Sequence, residues 1–190
     1  MKYDIMLAGV GGQGVLSLAA LIGRAAVAEG LQVKQSEVHG MAQRGGAVLS
    51  HLRLSDQVIA SDLIPLGTAD MILSMEPLES LRYVAYLAPG GTVVTAADPF
   101  VNIPDYPARE EVLAQLKRLP RAVVVEAERL AREAGEVLSK NTVMVGAAAH
   151  LLPLRRASFD GAIRQTFEAK GDRALEVNFA AFAAGWQVSA

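Results

Sequence analysis

The residues whose types and spacing could do chemistry lie in the first quarter of the chain. Gly9-Val10-Gly11-Gly12-Gln13-Gly14 fits the pattern G-x-G-x-x-G, with Gly9, Gly11 and Gly14 at the fixed positions. Glycine tolerates positive φ and lets backbone approach a ligand closely. A helix that starts directly after such a loop offers unpaired N–H groups and a positive dipole end, which favour phosphate. A second polar stretch, Ser36-Glu37-Val38-His39-Gly40-Met41-Ala42-Gln43-Arg44-Gly45-Gly46, carries His39, Gln43 and Arg44 between glycines. There Arg44 offers a charge-assisted fork to phosphate or carboxylate, and Gln43 offers two donors and an acceptor.

These motifs leave several chemistries open. A dinucleotide site wants an acid about 20 residues past the glycine loop, at the end of the second strand, to hold the ribose. Gln35 and Ser36 stand there, and Glu37 comes one or two residues late. Phosphate or pyrophosphate of another ligand is a second reading, and a tight turn that only packs helix on strand is a third. A free-standing nucleotide-binding oxidoreductase of Rossmann type therefore remains an alternative.

The elements that must position these loops follow from periodicity. Tyr3–Ala8 reads as a short buried strand, residues 15–29 as an apolar helix closed by Gly30, and Leu31–Gln35 as a second strand. Such a βαβ unit implies a parallel pair. Ala47–Leu54 alternates like a half-exposed strand, with Val58–Ala60 returning as a hairpin. The βα pattern resumes with a strand over Asp70–Ser74, a helix over Glu76–Tyr86, a turn at Ala88–Gly91 and a strand over Thr92–Ala96. Residues 98–107 carry Pro99, Pro104 and Pro107 and read as an irregular connection. A helix over 109–118 and a strand over 122–126 follow. Helices over 128–135, 142–152, 160–169 and 173–187 fill the remainder. The expected fold is α/β: a three-layer, Rossmann-like, mixed but mostly parallel sheet with helices on both faces and a helical C-terminal region. Residues 1–190 are expected to form one domain, with ligands at the carboxyl ends of the strands.

Composition removes whole classes. Net charge is −2 and no Lys/Arg run stands out, so nucleic acid is not an expected partner. There is no cysteine, which excludes a disulfide framework, a thiol nucleophile and Cys-ligated iron–sulfur on this chain. The three histidines lack metal-ligand spacing, so no metal site is expected. No serine stands in a G-x-S-x-G elbow. The start, Met1-Lys2-Tyr3-Asp4, lacks the basic face of a signal peptide, and no apolar stretch reaches the ~20 residues of a membrane span. A cytoplasmic address and no membrane partner are the expectations. With glycine counted in place of tyrosine, about 59% of the residues are apolar against a usual 45–50%, and mean hydropathy is +0.28. That excess fits either a buried partner surface or an Ala-rich core.

The chain resembles the small gamma-type subunits of 2-oxoacid:ferredoxin oxidoreductases, and among them the beta subunits of indolepyruvate ferredoxin oxidoreductases. The resemblance spans nearly the whole chain. It rests on Gly9–Gly14, the stretch Ser36–Gly46, Ser50-His51-Leu52-Arg53, Glu76-Pro77-Leu78-Glu79-Ser80-Leu81-Arg82 and Asn141. It implies that thiamine diphosphate and 4Fe–4S clusters sit on a large partner chain. There a 2-oxoacid such as indolepyruvate is decarboxylated, electrons leave to ferredoxin and coenzyme A takes the acyl group. It further implies that the glycine loop and the loop after the second strand approach the coenzyme A phosphates. Carried over residue by residue, that points to Gly11, Gly12, Gln13 and Gly14, with His39, Gln43 and Arg44 as polar partners. Relatives acting on pyruvate have lysines in the second loop, so the cation is kept in kind while its geometry changes. No catalytic residue is implied in this chain, and alone it is expected to be inactive.

Other polar residues read as structural. Glu76, Glu79 and Arg82 have the spacing of ion pairs on a solvated helix face, and Asp70 reads as a local cap or pair. His51 and Arg53 share one face of a strand and read as exposed alternation, and His150 reads as a core histidine in an apolar helix. Phe179, Phe182 and Trp186 form an i, i+3, i+7 stripe. Core packing is its expected role, with partner docking the other possibility.

Overall fold

The computed structural model describes residues 1–39 and 45–189. Strands β1 (Lys2–Val10), β2 (Gln32–His39), β3 (Ala47–Ser55), β4 (Ala69–Ser74), β5 (Leu87–Ala96) and β6 (Ala122–Val125) form one sheet in the order β2-β3-β1-β4-β5-β6. β1, β4, β5 and β6 are mutually parallel, and β3 runs antiparallel to both β1 and β2. The helices are α1 (Val15–Ala28), α2 (Pro77–Arg82), α3 (Arg109–Leu116), α4 (Ala127–Glu133), α5 (Lys140–Ala149), α6 (Arg156–Phe167) and α7 (Asp172–Ser189).

Alternation along the strands sorts the core into two layers. Ile5, Leu7, Met71, Leu73, Val94 and Ala96 face one way, against α1, α5, α6 and α7. Met6, Ile72 and Val93 face the other way, against Ile64, α2 and α3. The period of two thus becomes helices on both faces. The aromatic stripe of α7 packs in the larger layer: Phe182 is buried and stacks on Phe159 at 5.5 Å, while Phe179 and Trp186 are half-buried against it.

Several expectations are corrected. β1 and β2 point the same way but do not pair, because β3 lies between them. The α1 crossover therefore skips one strand position, which β3 fills by returning as a hairpin partner of β2. Val58–Ala60 is not a strand: residues 56–68 form a coil across the α2–α3 face. Ala88–Gly91 belongs to β5 rather than to a turn. Between the pairs Ala69↔Leu87 and Met71↔Thr92, β5 spends four residues where β4 spends one, so the glycines form a bulge. The helix expected over Glu76–Tyr86 stops at Arg82 and tightens into a 3-10 turn at Val84–Tyr86.

His51 and Arg53 are also not exposed. They hold the 56–68 coil on the sheet. His51, 5% exposed, accepts the Ile64 N–H at Nδ1 (3.0 Å). Burial lowers its pKa, an effect that Arg53 reinforces and Asp62 opposes. Arg53 grips the fully buried Asp4 with two N–H···O bonds of 2.9 and 3.0 Å and donates to the carbonyls of Ser61 and Leu63. Asp70, on the neighbouring strand β4, accepts the Asp4 N–H at 2.7 Å, a pairing 66 residues apart in the chain rather than the local one expected. His150 is not in the core: it caps the end of α5, is exposed, and lies with its ring 3.6 Å from that of Trp186.

Candidate functional site

The glycine loop leaves β1 where the sheet reverses its winding: β4 follows on one side of β1 and the β3–β2 hairpin on the other. Such a switch point opens a crevice at the carboxyl ends of the strands. Gly12 has φ +100° and Gly14, the N-cap of α1, has φ +74° and ψ 34°. Both are left-handed conformations that glycine adopts without strain. Gly12 and Gly14 are exposed, whereas Gly11 and Gln13 are buried.

Gln13 turns inward. Its Oε1 accepts the Val10 N–H at 2.8 Å and its Nε2 donates to the Met75 carbonyl at 3.2 Å, so the side chain, 7% exposed, staples the loop to the end of β4. Any contact Gln13 makes with a ligand therefore runs through its backbone. The N-terminus of α1 has no side-chain cap and no acid in its first turn. The amides of Gly14, Val15 and Leu16 find no acceptor among the described residues, as the start of a helix requires, and neither does that of Gly12 just before it. The result is an open set of donors at a positive dipole end.

The second loop returns to the first. The Gly11 N–H donates to the Gly46 carbonyl (2.8 Å) and the Gly45 N–H to the Gly11 carbonyl (3.3 Å). The two glycine-bearing stretches are thus adjacent, as read. His39 closes β2. The expected contacts of its side chain, and Gln43 and Arg44, lie outside the described residues.

Three further residues build the site. Asn141, at the start of α5, donates from Nδ2 to the carbonyls of Gln13 (3.1 Å) and Gly14 (2.7 Å). Asn102, in the proline-interrupted connection, donates to the Gly45 carbonyl at 2.7 Å. Glu76, 1% exposed, sits just past β4. It is not on a solvated face: one carboxylate oxygen caps α2 through the Glu79 N–H (2.8 Å), and the other accepts the Phe100 N–H (3.3 Å) and the Tyr106 hydroxyl. Burial and then this bond push the Tyr106 phenol well above its usual pKa. Glu76 thus ties the 98–107 segment down beside the glycine loop. Glu79 is buried too, and its i,i+3 bridge to Arg82 forms as expected at 3.0 Å. Asn102 carried no periodic signal that sequence reasoning could use, and the helical spacing of Glu76 pointed to a surface ion pair rather than to this buried tether. Asn141 stood out only through the resemblance.

Residues 4–188 match the pyruvate ferredoxin/flavodoxin oxidoreductase family. The chain belongs to that family. It is 39% identical over 194 aligned residues to the indolepyruvate oxidoreductase subunit IorB of Pyrococcus horikoshii, covering 97% of this chain and 94% of the relative. With the subunit of the same name from Methanothermobacter thermautotrophicus it shares 36% identity, covering 100% and 99%. The gamma subunit of a keto/oxoacid ferredoxin oxidoreductase from Geobacter sulfurreducens superposes with a TM-score of 0.71 at 24% identity, over 98% of both chains. The 2-oxoglutarate:ferredoxin oxidoreductase from Magnetococcus marinus, solved with 2-oxoglutarate, coenzyme A and succinyl-CoA bound, superposes with a TM-score of 0.78 at 21% identity. It covers 99% of this chain, which spans 31% of that chain. At these identities the two structures show the fold alone. The chain is a small subunit of a 2-oxoacid:ferredoxin oxidoreductase and works as part of an enzyme complex. No helix among the described residues is long and apolar enough to cross a membrane.

Proposed function

We propose that this small subunit serves a cytoplasmic, coenzyme A-linked oxidoreductase that converts an aryl pyruvate such as indolepyruvate to the acyl-CoA. Its large partner carries thiamine diphosphate and the 4Fe–4S clusters, and ferredoxin is met there. Thiamine diphosphate supplies the carbanion chemistry of decarboxylation. Residues 1–190 act as one gamma-type domain. The observation that carries the substrate class is the 39% identity to an indolepyruvate oxidoreductase subunit over almost the full length of both chains.

This chain supplies no group to the bond-breaking steps in this reading. It binds and orients. The amides of Gly12, Gly14, Val15 and Leu16, without an acceptor among the described residues, lie at the switch point, where a coenzyme A diphosphate would meet these donors and the α1 dipole. Gly11 sets the distance to the second loop, and Gln13 sets the shape of the first. His39, Gln43 and Arg44 come from that second loop to complete the anion contacts, Arg44 as a fork.

A dinucleotide oxidoreductase is disfavoured by one observation. With β3 between β1 and β2, the end of β2 stands two strand spacings from β1, about 9.5 Å, instead of one. A ribose-binding acid at Glu37 would be displaced by that extra strand.

The test is the Arg44→Ala variant in the assembled complex, assayed with indolepyruvate. Phosphate contacts supply mostly uniform binding, so the KM for coenzyme A rises while kcat holds. Loss of a charge-assisted contact corresponds to about 10- to 150-fold. An unchanged KM for coenzyme A would refute the phosphate role, and faster turnover of pyruvate than of any aryl pyruvate would refute the substrate class.

A further inference from the structure

Most of the carbonyl groups around the glycine loop share one property. The carbonyls of Gln13 and Gly14 both accept from Asn141, that of Gly45 accepts from Asn102 and that of Met75 accepts from Gln13. The carbonyls of Val10, Gly11 and Gly46 accept from the loop's own amides. Side-chain amides thus take up four acceptors that a backbone turn would otherwise show to a ligand. Left without a partner among the described residues are the Gly12 carbonyl and the amides of Gly12, Gly14, Val15 and Leu16, so donors outnumber acceptors there. A carbonyl oxygen beside a phosphate oxygen is repulsive, and an N–H is attractive. Turning the carbonyls away therefore sharpens the preference for an anion without adding any positive charge.

We propose that Asn102 and Asn141 are positioning residues for the coenzyme A phosphates, acting through the backbone carbonyls they hold. Asn141 reaches in from α5 on one side of the loop. Asn102 reaches in from the 98–107 segment to Gly45, whose N–H donates to the Gly11 carbonyl, and that segment is itself tethered by Glu76 through Phe100 and Tyr106. The orientation of both amides is dictated by their partners: each faces only carbonyl acceptors, so Nδ2 must point there. Neither asparagine needs to touch the ligand. The inference rests on the coenzyme A reading above.

The experiment uses the anaerobically assembled complex with Asn102→Ala, Asn141→Ala, Asn141→Asp and, as a control on the reading itself, Gly12→Ala. Gly12 is exposed at φ +100°, so alanine there distorts the donor ring directly. Each asparagine-to-alanine variant is expected to raise the KM for coenzyme A about 5- to 10-fold, with kcat at saturating coenzyme A retained. Asn141→Asp removes the same two donors and adds a negative charge next to the loop, so about 100-fold is expected. A merely structural asparagine would give equal effects for Ala and Asp, and they would fall on stability and kcat together. Should Asn141→Ala impair folding, Asn102→Ala tests the same idea through Gly45. An unchanged KM in the asparagine variants, with Gly12→Ala raised, overturns the positioning role and leaves the coenzyme A reading standing. An unchanged KM in all four variants overturns both.

Discussion

Replacing Gly14 by alanine tests how tightly the glycine loop is locked to α5. Gly14 holds φ +74° and ψ 34°, and an alanine in that left-handed well costs about 1–2 kcal/mol. A Cβ built there would lie 2.5 Å from Asn141 Nδ2. The asparagine must therefore move by about 1 Å to reach ordinary contact distance. That movement breaks its bonds to the carbonyls of Gln13 and Gly14, worth about 0.5–1.5 kcal/mol each. The expected loss is about 2–5 kcal/mol. For a chain of this size it corresponds to a fall in Tm of about 4–20 °C. Equilibrium urea unfolding of the full chain measures it. In an Asn141→Ala background the clash and both bonds are already gone, so Gly14→Ala should then cost only the backbone part, about 1–2 kcal/mol. Additive effects in the double variant, or a loss below about 1 kcal/mol for Gly14→Ala alone, would refute this reasoning.

Two further perturbations probe the scaffold. His51 accepts the Ile64 N–H as a neutral ring, and burial holds its pKa below the ordinary histidine value. The unfolded chain thus binds the proton more readily than the folded one. This contribution to stability is complete above about pH 6.5 and declines as pH falls from there toward the folded-state pKa. Urea midpoints between pH 7.5 and 5 should show that decline in the wild type and a smaller one in His51→Gln; equal slopes would contradict it. Arg53→Met leaves the fully buried Asp4 carboxylate with Lys2 as its one remaining cationic partner among the described residues. It also frees the Ser61 and Leu63 carbonyls. A loss of about 3 kcal/mol in urea unfolding is expected, and a change under 1 kcal/mol would place the ion pair outside the stability of the fold.

The fold was largely legible because its elements have strong periods and clear stops. Tyr3–Ala8 and Asp70–Ser74 are apolar runs buried on both faces, and the residues before Gly30 carry a helical stripe. Strand order was not legible. Periodicity reports the face a residue occupies, not the neighbour its strand takes, so the insertion of β3 between β1 and β2 left no trace in the sequence. The exposed reading of His51 and Arg53 failed for a similar reason. Polar alternation on β3 looks solvated until the 56–68 coil, which has no period, folds over it and takes its hydrogen bonds from those side chains. The glycine loop was found by its spacing. Its supports were not: Asn141 bonds to the loop from 128 and 127 residues away in the chain, Asn102 holds the adjoining Gly45 from 57 residues away, and Glu76, read as part of a solvated ion pair, holds Phe100 from 24. Nothing local marks such a residue. Gln13 was found, but its direction was not, since an amide can serve a ligand or its own loop equally well.

In the reading proposed above, this chain is an inert small subunit whose activity appears only with its partner. A tagged copy purified anaerobically from its native cells, with its partners identified by mass spectrometry and assayed with indolepyruvate and coenzyme A, tests it most directly. The expected result is a large thiamine diphosphate and iron–sulfur chain in the purified complex, coenzyme A-dependent 2-oxoacid oxidation by that complex and none by the small chain alone. Recovery of a lone protein or a homo-oligomer, or turnover by the isolated chain, would contradict it.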